Sequence, residues 1–176
     1  MFYQLEPAMI TRLWYPQLDV YDAARRMSVL LGRWKNDPPS VERLYIIDFF
    51  LANPSLLYGV SLPQDVRAAF NALNVRRPEK LFISLPSAPL LFHKMEEVQR
   101  QAVRSLAGKG LIDNESIAKG LISLSAKGVG TLSKVIEKFV DESEEPVITF
   151  MINDFGIVDC SDIEAFRRRT GLHRVN

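Results

Sequence analysis

The side chains that most often hold metals or attack substrates are few in this chain and widely spaced. Its two histidines, His93 and His173, lie far apart, and Cys160 is the only cysteine. A zinc site needs three or four such ligands converging on one point, so the sequence predicts no metal site. A serine or cysteine nucleophile would need a histidine and an orienting group, and no short motif of that kind is present.

Two other patterns have a chemical interpretation that the sequence does not favour. Gly128-Val129-Gly130-Thr131 precedes a predicted helix, as a phosphate-binding loop would, but the lysine of G-x-x-x-x-G-K-[ST] is missing. The carboxylate pairs Glu96-Glu97 and Glu144-Glu145 lie in charge runs, where solvation explains them better than acid–base catalysis. We therefore expect a protein that is not an enzyme and binds no cofactor.

The composition restricts the class of protein. The 176 residues include 22 Lys and Arg against 21 Asp and Glu, a net charge of +1, so no overall field attracts nucleic acid or a membrane. With 47% hydrophobic residues the chain can fill one core, and we expect a single domain over residues 1–176. The lone cysteine is typical of a reducing compartment, and no apolar run approaches the roughly 20 residues of a membrane span. The expected location is the cytoplasm.

Hydrophobic spacing predicts mainly helices between short connections. Ser40, Thr131 and Ser161 are predicted N-caps, and Gly108-Lys109-Gly110 ends the most regular helix. The short run Leu81–Leu85 is either a strand or a buried connector. The predicted helices cover about 20–34, 41–52, 64–73, 88–107, 132–140 and 161–169.

One stretch predicts a β-hairpin. Leu111-Ile112 and the alternating segment Gly120–Ser125 flank the polar residues Asp113–Ser116. A long helix, a hairpin and the turn Leu124-Ser125-Ala126-Lys127-Gly128 follow one another in an order that resembles a winged helix. The expected fold is therefore mainly α with a small β-hairpin. It has a winged-helix body over 40–140, flanked by interaction segments at 1–39 and 141–176.

Basic residues in such a body could contact DNA phosphates. Acidic residues are interleaved with them, so ordinary solvated charge on a protein-binding fold is the favoured interpretation. The candidate DNA-binding residues are Lys94, Arg100, Arg104, Lys109, Lys119 and Lys127.

Apolar residues near the two ends exceed what a minimal winged helix needs, and they predict a protein interface. The tail cluster Arg167-Arg168-Arg169 could meet phosphates, but an acidic partner surface is favoured. The candidate partner-binding residues are Trp14, Tyr15, Phe150, Phe155, Arg167, Arg168 and Arg169.

The small size, the helix Arg43–Pro54 and the later winged segment together resemble a known family. They are similar to the middle component of bacterial ABC-three-component systems, as in Lamassu-type defence complexes built on SMC-like ATPases. The resemblance implies a non-enzymatic accessory subunit that binds an SMC-like or RecN-like ABC ATPase and an effector subunit. It supplies no catalytic residues, and it leaves DNA contact and homodimerisation open.

Two other functions remain as alternatives. A free-standing winged-helix transcriptional regulator would read DNA as a dimer, which calls for a more basic recognition helix than residues 87–106 provide. A small enzyme of unrecognised type would need a polar cleft that the sequence does not locate.

Overall fold

Helices make up the regular structure of the described chain. The computed structural model describes residues 15–77, 86–158 and 162–172. Three 3₁₀ turns, Pro16–Leu18, Pro54–Gly59 and Ile136–Phe139, and a π-helical turn, Met151–Phe155, connect or extend the α-helices. The α-helices are α1 (Val20–Arg33), α2 (Val41–Ala52), α3 (Gln64–Ala72), α4 (Ala88–Gly108), α5 (Asn114–Ala118), α6 (Ala126–Leu132), α7 (Glu145–Phe150) and α8 (Ile163–Thr170).

The longest helices begin and end where local chemistry predicts. Asp19 caps α1 by accepting the backbone N–H groups of Tyr21 and Asp22, at 2.8 and 2.9 Å. Ser40 caps α2 in the same way, as its sequence position predicts. Gly110, with φ +71°, takes the left-handed conformation just after α4. The predictions of α1, α2 and α4 are confirmed.

The predicted winged helix is wrong. The polar segment expected to form a hairpin loop instead folds into α5, because Asp113 accepts the N–H groups of Glu115 and Ser116 and so caps a helix. Only isolated β-bridges, Ser40 with Leu121 and Ile112 with Leu124, occur in the described chain, which contains no strand. The fold is all-helical within the described ranges rather than a helical body with a β-hairpin.

Two predicted caps also need correction. The helix predicted over 132–140 behind a Thr131 cap is wrong: α6 spans Ala126–Leu132 and is capped by Ser125, which accepts the Gly128 N–H at 2.9 Å, and only the 3₁₀ turn Ile136–Phe139 lies in the predicted range. Asp162 caps α8 by accepting the N–H of Ala165. The proposed cap Ser161 and the run Leu81–Leu85 lie outside the described residues.

The core forms around α1, which packs against α4, α2 and the Ile136–Phe139 turn. The chain beyond residue 140 contributes large aromatic side chains to it. Phe155 is fully buried and contacts the rings of Phe50, Phe150 and Phe166, with centroids 5.4 to 6.4 Å apart. The segment that the sequence assigned to a flank therefore supplies part of the central packing.

Two acidic residues at the start of α7 hold this segment on α1. Arg25 makes two hydrogen bonds to the Glu144 carboxylate, at 2.8 and 2.9 Å, and Arg33 makes two to Glu145, at 2.7 and 2.8 Å. Bonding to Glu144 raises the pKa of Arg25, and bonding to Arg33 lowers the pKa of Glu145. The acidic run thus supplies ion-pair partners for α1.

Candidate functional site

A polar cluster lies at the centre of the bundle, where α1, α2 and α4 meet. Arg26 donates from Nε and Nη2 to the two Asp48 carboxylate oxygens, at 2.7 and 3.1 Å, and also pairs with Asp22. Gln99 donates to Asp48 and to the Tyr45 carbonyl, both at 2.9 Å. Burial alone would lower the pKa of Arg26, but the two carboxylates outweigh it and raise that pKa. Arg26, Asp48 and Gln99 are sealed from solvent, so this cluster joins helices and admits no substrate.

The described residues offer no metal site. Within them, no group of three or more His, Cys, Asp or Glu side chains converges. His93 Nδ1 lies 3.6 Å from a Glu96 carboxylate oxygen on the open face of α4, and 68% of the imidazole is exposed. Cys160 and His173 lie outside the described residues.

The candidate DNA-binding residues all lie on the surface. Lys94, Arg100 and Arg104 project from the outer face of α4. Arg100 is paired with Glu97 at 2.6 Å, so part of its charge is neutralised locally. The other three candidates are also exposed: Lys109, Lys119 and Lys127. Lys127 Nζ lies 2.7 Å from the carbonyl of Lys109, which brings the start of α6 to the end of α4.

The candidate partner-binding residues divide between surface and core. Tyr15 is 52% exposed, and Leu18 and Tyr21, which are close to it in sequence, are also exposed; we call these three residues the N-terminal aromatic patch. Trp14 lies outside the described residues. Phe150 and Phe155 are buried in the core and present no surface to a partner in this conformation.

The tail arginines mostly have intramolecular partners. Arg167 is 7% exposed and pairs with Glu42 on α2. Arg169 donates to the Ser61 carbonyl at 3.2 Å, and Arg168 alone of the three is largely exposed. Two of these three cations therefore hold α8 on the body.

An apolar cleft that the sequence analysis did not identify opens at the C-terminal end of α1. It has a volume of about 350 Å³ and no charged residue lines it. Trp34 is half-buried at its side, with the indole N–H bonded to the Asp37 carbonyl at 2.9 Å. One wall is formed by Leu31, Trp34, Pro38 and Pro39, and the facing wall by Leu124, Val129 and Leu132. We call it the Trp34 cleft.

The extended segment 121–125 forms part of the cleft and pairs with neighbours on both sides. Ser123 accepts the Asp113 N–H and Ser125 donates to the Leu111 carbonyl, both at 3.0 Å. Ile122 donates in the opposite direction, to the Pro39 carbonyl, at 2.9 Å. The pairing ends at Pro39, because proline has no backbone N–H to donate to Ile122 in exchange.

A sequence signal for this cleft exists in retrospect. Trp34 and the prolines at 38 and 39 follow the last turn of α1, and Val129 is an apolar residue at the surface of a short helix. The winged-helix interpretation placed Trp34, Pro38 and Pro39 in the flanking segment 1–39 and Val129 in the body, so it did not predict that they line one cleft.

Residues 12–176 match the family described as ABC-three component (ABC-3C) system Middle Component 5. The chain belongs to this family. No curated protein and no solved structure matches it. A middle component of a three-component system has partner components in a complex, so its exposed apolar surfaces are the features of this fold that call for an explanation.

The described ranges of this middle component contain no helix with both the length and the apolar character needed to cross a bilayer.

Proposed function

We propose that this middle component is a non-catalytic accessory subunit that binds an SMC-like or RecN-like ABC ATPase and an effector subunit, in a bacterial defence or DNA-maintenance complex. Membership of the middle-component family over residues 12–176 is the observation that carries the proposal. The subunit's task is architectural: it holds two larger proteins in a fixed relation.

Two separate surfaces support a bridging role. The Trp34 cleft lies at the C-terminal end of α1, and the N-terminal aromatic patch lies at its other end, where Tyr21 is 83% exposed. The 14 residues of α1 span about 20 Å at 1.5 Å per residue. Two partners could therefore be held at opposite ends of one buried, rigid helix without competing for the same residues.

Co-purification tests this proposal. The tagged chain is expressed with the ATPase and effector components of its own system, treated with nuclease and recovered. We expect both components to be retained. We expect Tyr21→Glu to release one of them, because a charge at the centre of an apolar contact is poorly solvated there. Glu164→Lys, an exposed substitution on α8, is the control. Failure of the unaltered chain to recover either component would contradict the proposal.

Direct DNA contact is a second candidate, supported by the surface position of the six basic residues named above. Replacing both Arg100 and Arg104 with Glu reverses two charges on α4 without touching the core. If the subunit contributes phosphate contacts, the complex should lose DNA affinity and its salt dependence should become shallower. Unchanged DNA binding with intact complex formation would contradict this role.

A further inference from the structure

We infer that the Trp34 cleft binds an extended segment of one partner component, which pairs as an added β-strand with the backbone at Leu124. The inference rests on the proposed function, because the occupant is one of the partner components. It adds the site, the conformation of the bound segment and the chemistry of its side chains.

The hydrogen bonds of segment 121–125 show which way the backbone groups of Leu124 face. Successive residues of an extended segment point their N–H and C=O groups to opposite sides. Ser123 and Ser125 bond toward Leu111–Asp113, and Ile122 bonds toward Pro39. Leu124 therefore points its backbone groups toward the proline side, where Pro38 lies.

The backbone of Leu124 is left unpaired at that edge. Its N–H donates no hydrogen bond within the described chain, and its carbonyl accepts none outside the helices. No intramolecular strand continues the pairing at Leu124 within the described chain: Pro39 has no N–H to return to Ile122, and the Asp37 carbonyl accepts the Trp34 indole N–H instead. A donor and an acceptor at the wall of an apolar groove are what strand addition uses for affinity.

The lining determines which side chains can enter. All of the residues that line the cleft are uncharged, so a charged side chain would be desolvated there without a partner. The entering residues should be apolar, at alternate positions of the bound segment.

The rim of the cleft carries charges of both signs. Lys35 and Lys134 are exposed and each directly follows a lining residue, but the exposed Asp37 and Glu137 do so as well. Charge at the rim therefore sets no preference, and the expected occupant is a short apolar strand.

Val129→Arg tests the site. Val129 is 55% exposed and lines the cleft, so arginine there blocks the groove without opening the core. Ile157→Arg is the matched control, because Ile157 is 52% exposed and lies outside the cleft. Binding of each co-expressed component is measured by titration after nuclease treatment. We expect V129R to weaken the binding of one component at least tenfold and I157R to leave the affinity for both components unchanged. Equal affinities for V129R and the unaltered chain would overturn the inference while leaving the accessory role intact.

Hydrogen exchange tests the mode of binding. The unpaired Leu124 amide should exchange fast in the isolated subunit and roughly tenfold more slowly, or slower still, in the complex. If the Leu124 amide of the isolated subunit becomes more protected as the protein concentration rises, the cleft binds a second copy of the chain and the inference is overturned. A complex that depends on Val129 but leaves this amide unprotected would also overturn it. If the unaltered chain binds neither component, the accessory role and this inference both fail.

Discussion

Removal of the Asp48 carboxylate should destabilise the fold more than any surface substitution. Asp48 is fully buried and receives two hydrogen bonds from Arg26 and one from Gln99. In Asp48→Ala, the Arg26 guanidinium stays in the core with Asp22 as its remaining carboxylate partner, and Asp22 is partly exposed. An ion left without its buried partner costs about 3–5 kcal/mol. That is a large part of the roughly 5–15 kcal/mol by which domains are stable.

Urea unfolding followed by far-UV circular dichroism measures this cost. For a chain of this size, about 3–5 kcal/mol corresponds to a fall in Tm of roughly 6–20 °C. Asp65→Ala is the matched control, because Asp65 is exposed in the first turn of α3, and we expect a change of less than about 1 kcal/mol.

The double variant Arg26→Met/Asp48→Leu removes both charges and separates charge burial from loss of packing. If the cost arises from the uncompensated guanidinium, the double variant should be more stable than Asp48→Ala alone. A loss below about 1 kcal/mol in Asp48→Ala would refute the reasoning, since it would mean that solvent or Asp22 fully replaces the buried carboxylate.

Two further predictions concern α6 and the contact between α1 and α7. A Cβ on Gly128 would lie 2.0 Å from the Leu111 carbonyl oxygen, whereas one on Gly130 would meet nothing within 4 Å. Thermal unfolding should show Gly128→Ala to be destabilising and Gly130→Ala neutral or stabilising by up to about 1 kcal/mol. Arg33 lowers the folded-state pKa of Glu145, so this pair stabilises the protein above the ordinary carboxyl pKa and the benefit is lost as pH falls through the lowered one. Glu145→Gln should therefore flatten acid unfolding below about pH 4.5; an unchanged profile would contradict the assignment.

Helices with strong end signals could be predicted from sequence, and the small extended segment could not. Ser40 and Gly110 mark their helix ends through bonds or φ values within a few residues, so a local pattern suffices. Leu121–Ser125 alternates like a strand and pairs with Leu111–Asp113 through a single bridge, but its other neighbour, Pro39, is distant in the chain and no local pattern predicts that contact. Asp113 also had two local options, a turn or a helix cap, and the helix formed.

The site could be predicted only where exposure followed from sequence position. Lys94 and Arg104 lie on the polar face of α4, so their surface position follows from helical spacing. Phe150 and Arg167 were assigned to an interface, but long-range packing of the C-terminal segment buries both. Hydrophobic periodicity shows which side chains are apolar, but it does not show whether the residues that cover them belong to the same chain or to a partner.

The dependence of α1 on residues near the end of the chain bears on how the subunit is made. Arg25 and Arg33 can pair with Glu144 and Glu145 only after those residues have been synthesised. The core is likewise incomplete until Phe155 and the other aromatic residues beyond position 140 have been added. On a ribosome that adds about 5–20 residues per second, the helix emerges many seconds before its partners do. The apolar faces of the N-terminal half stay uncovered until then, so we expect stable assembly with other components only after residues 144–166 have left the ribosome.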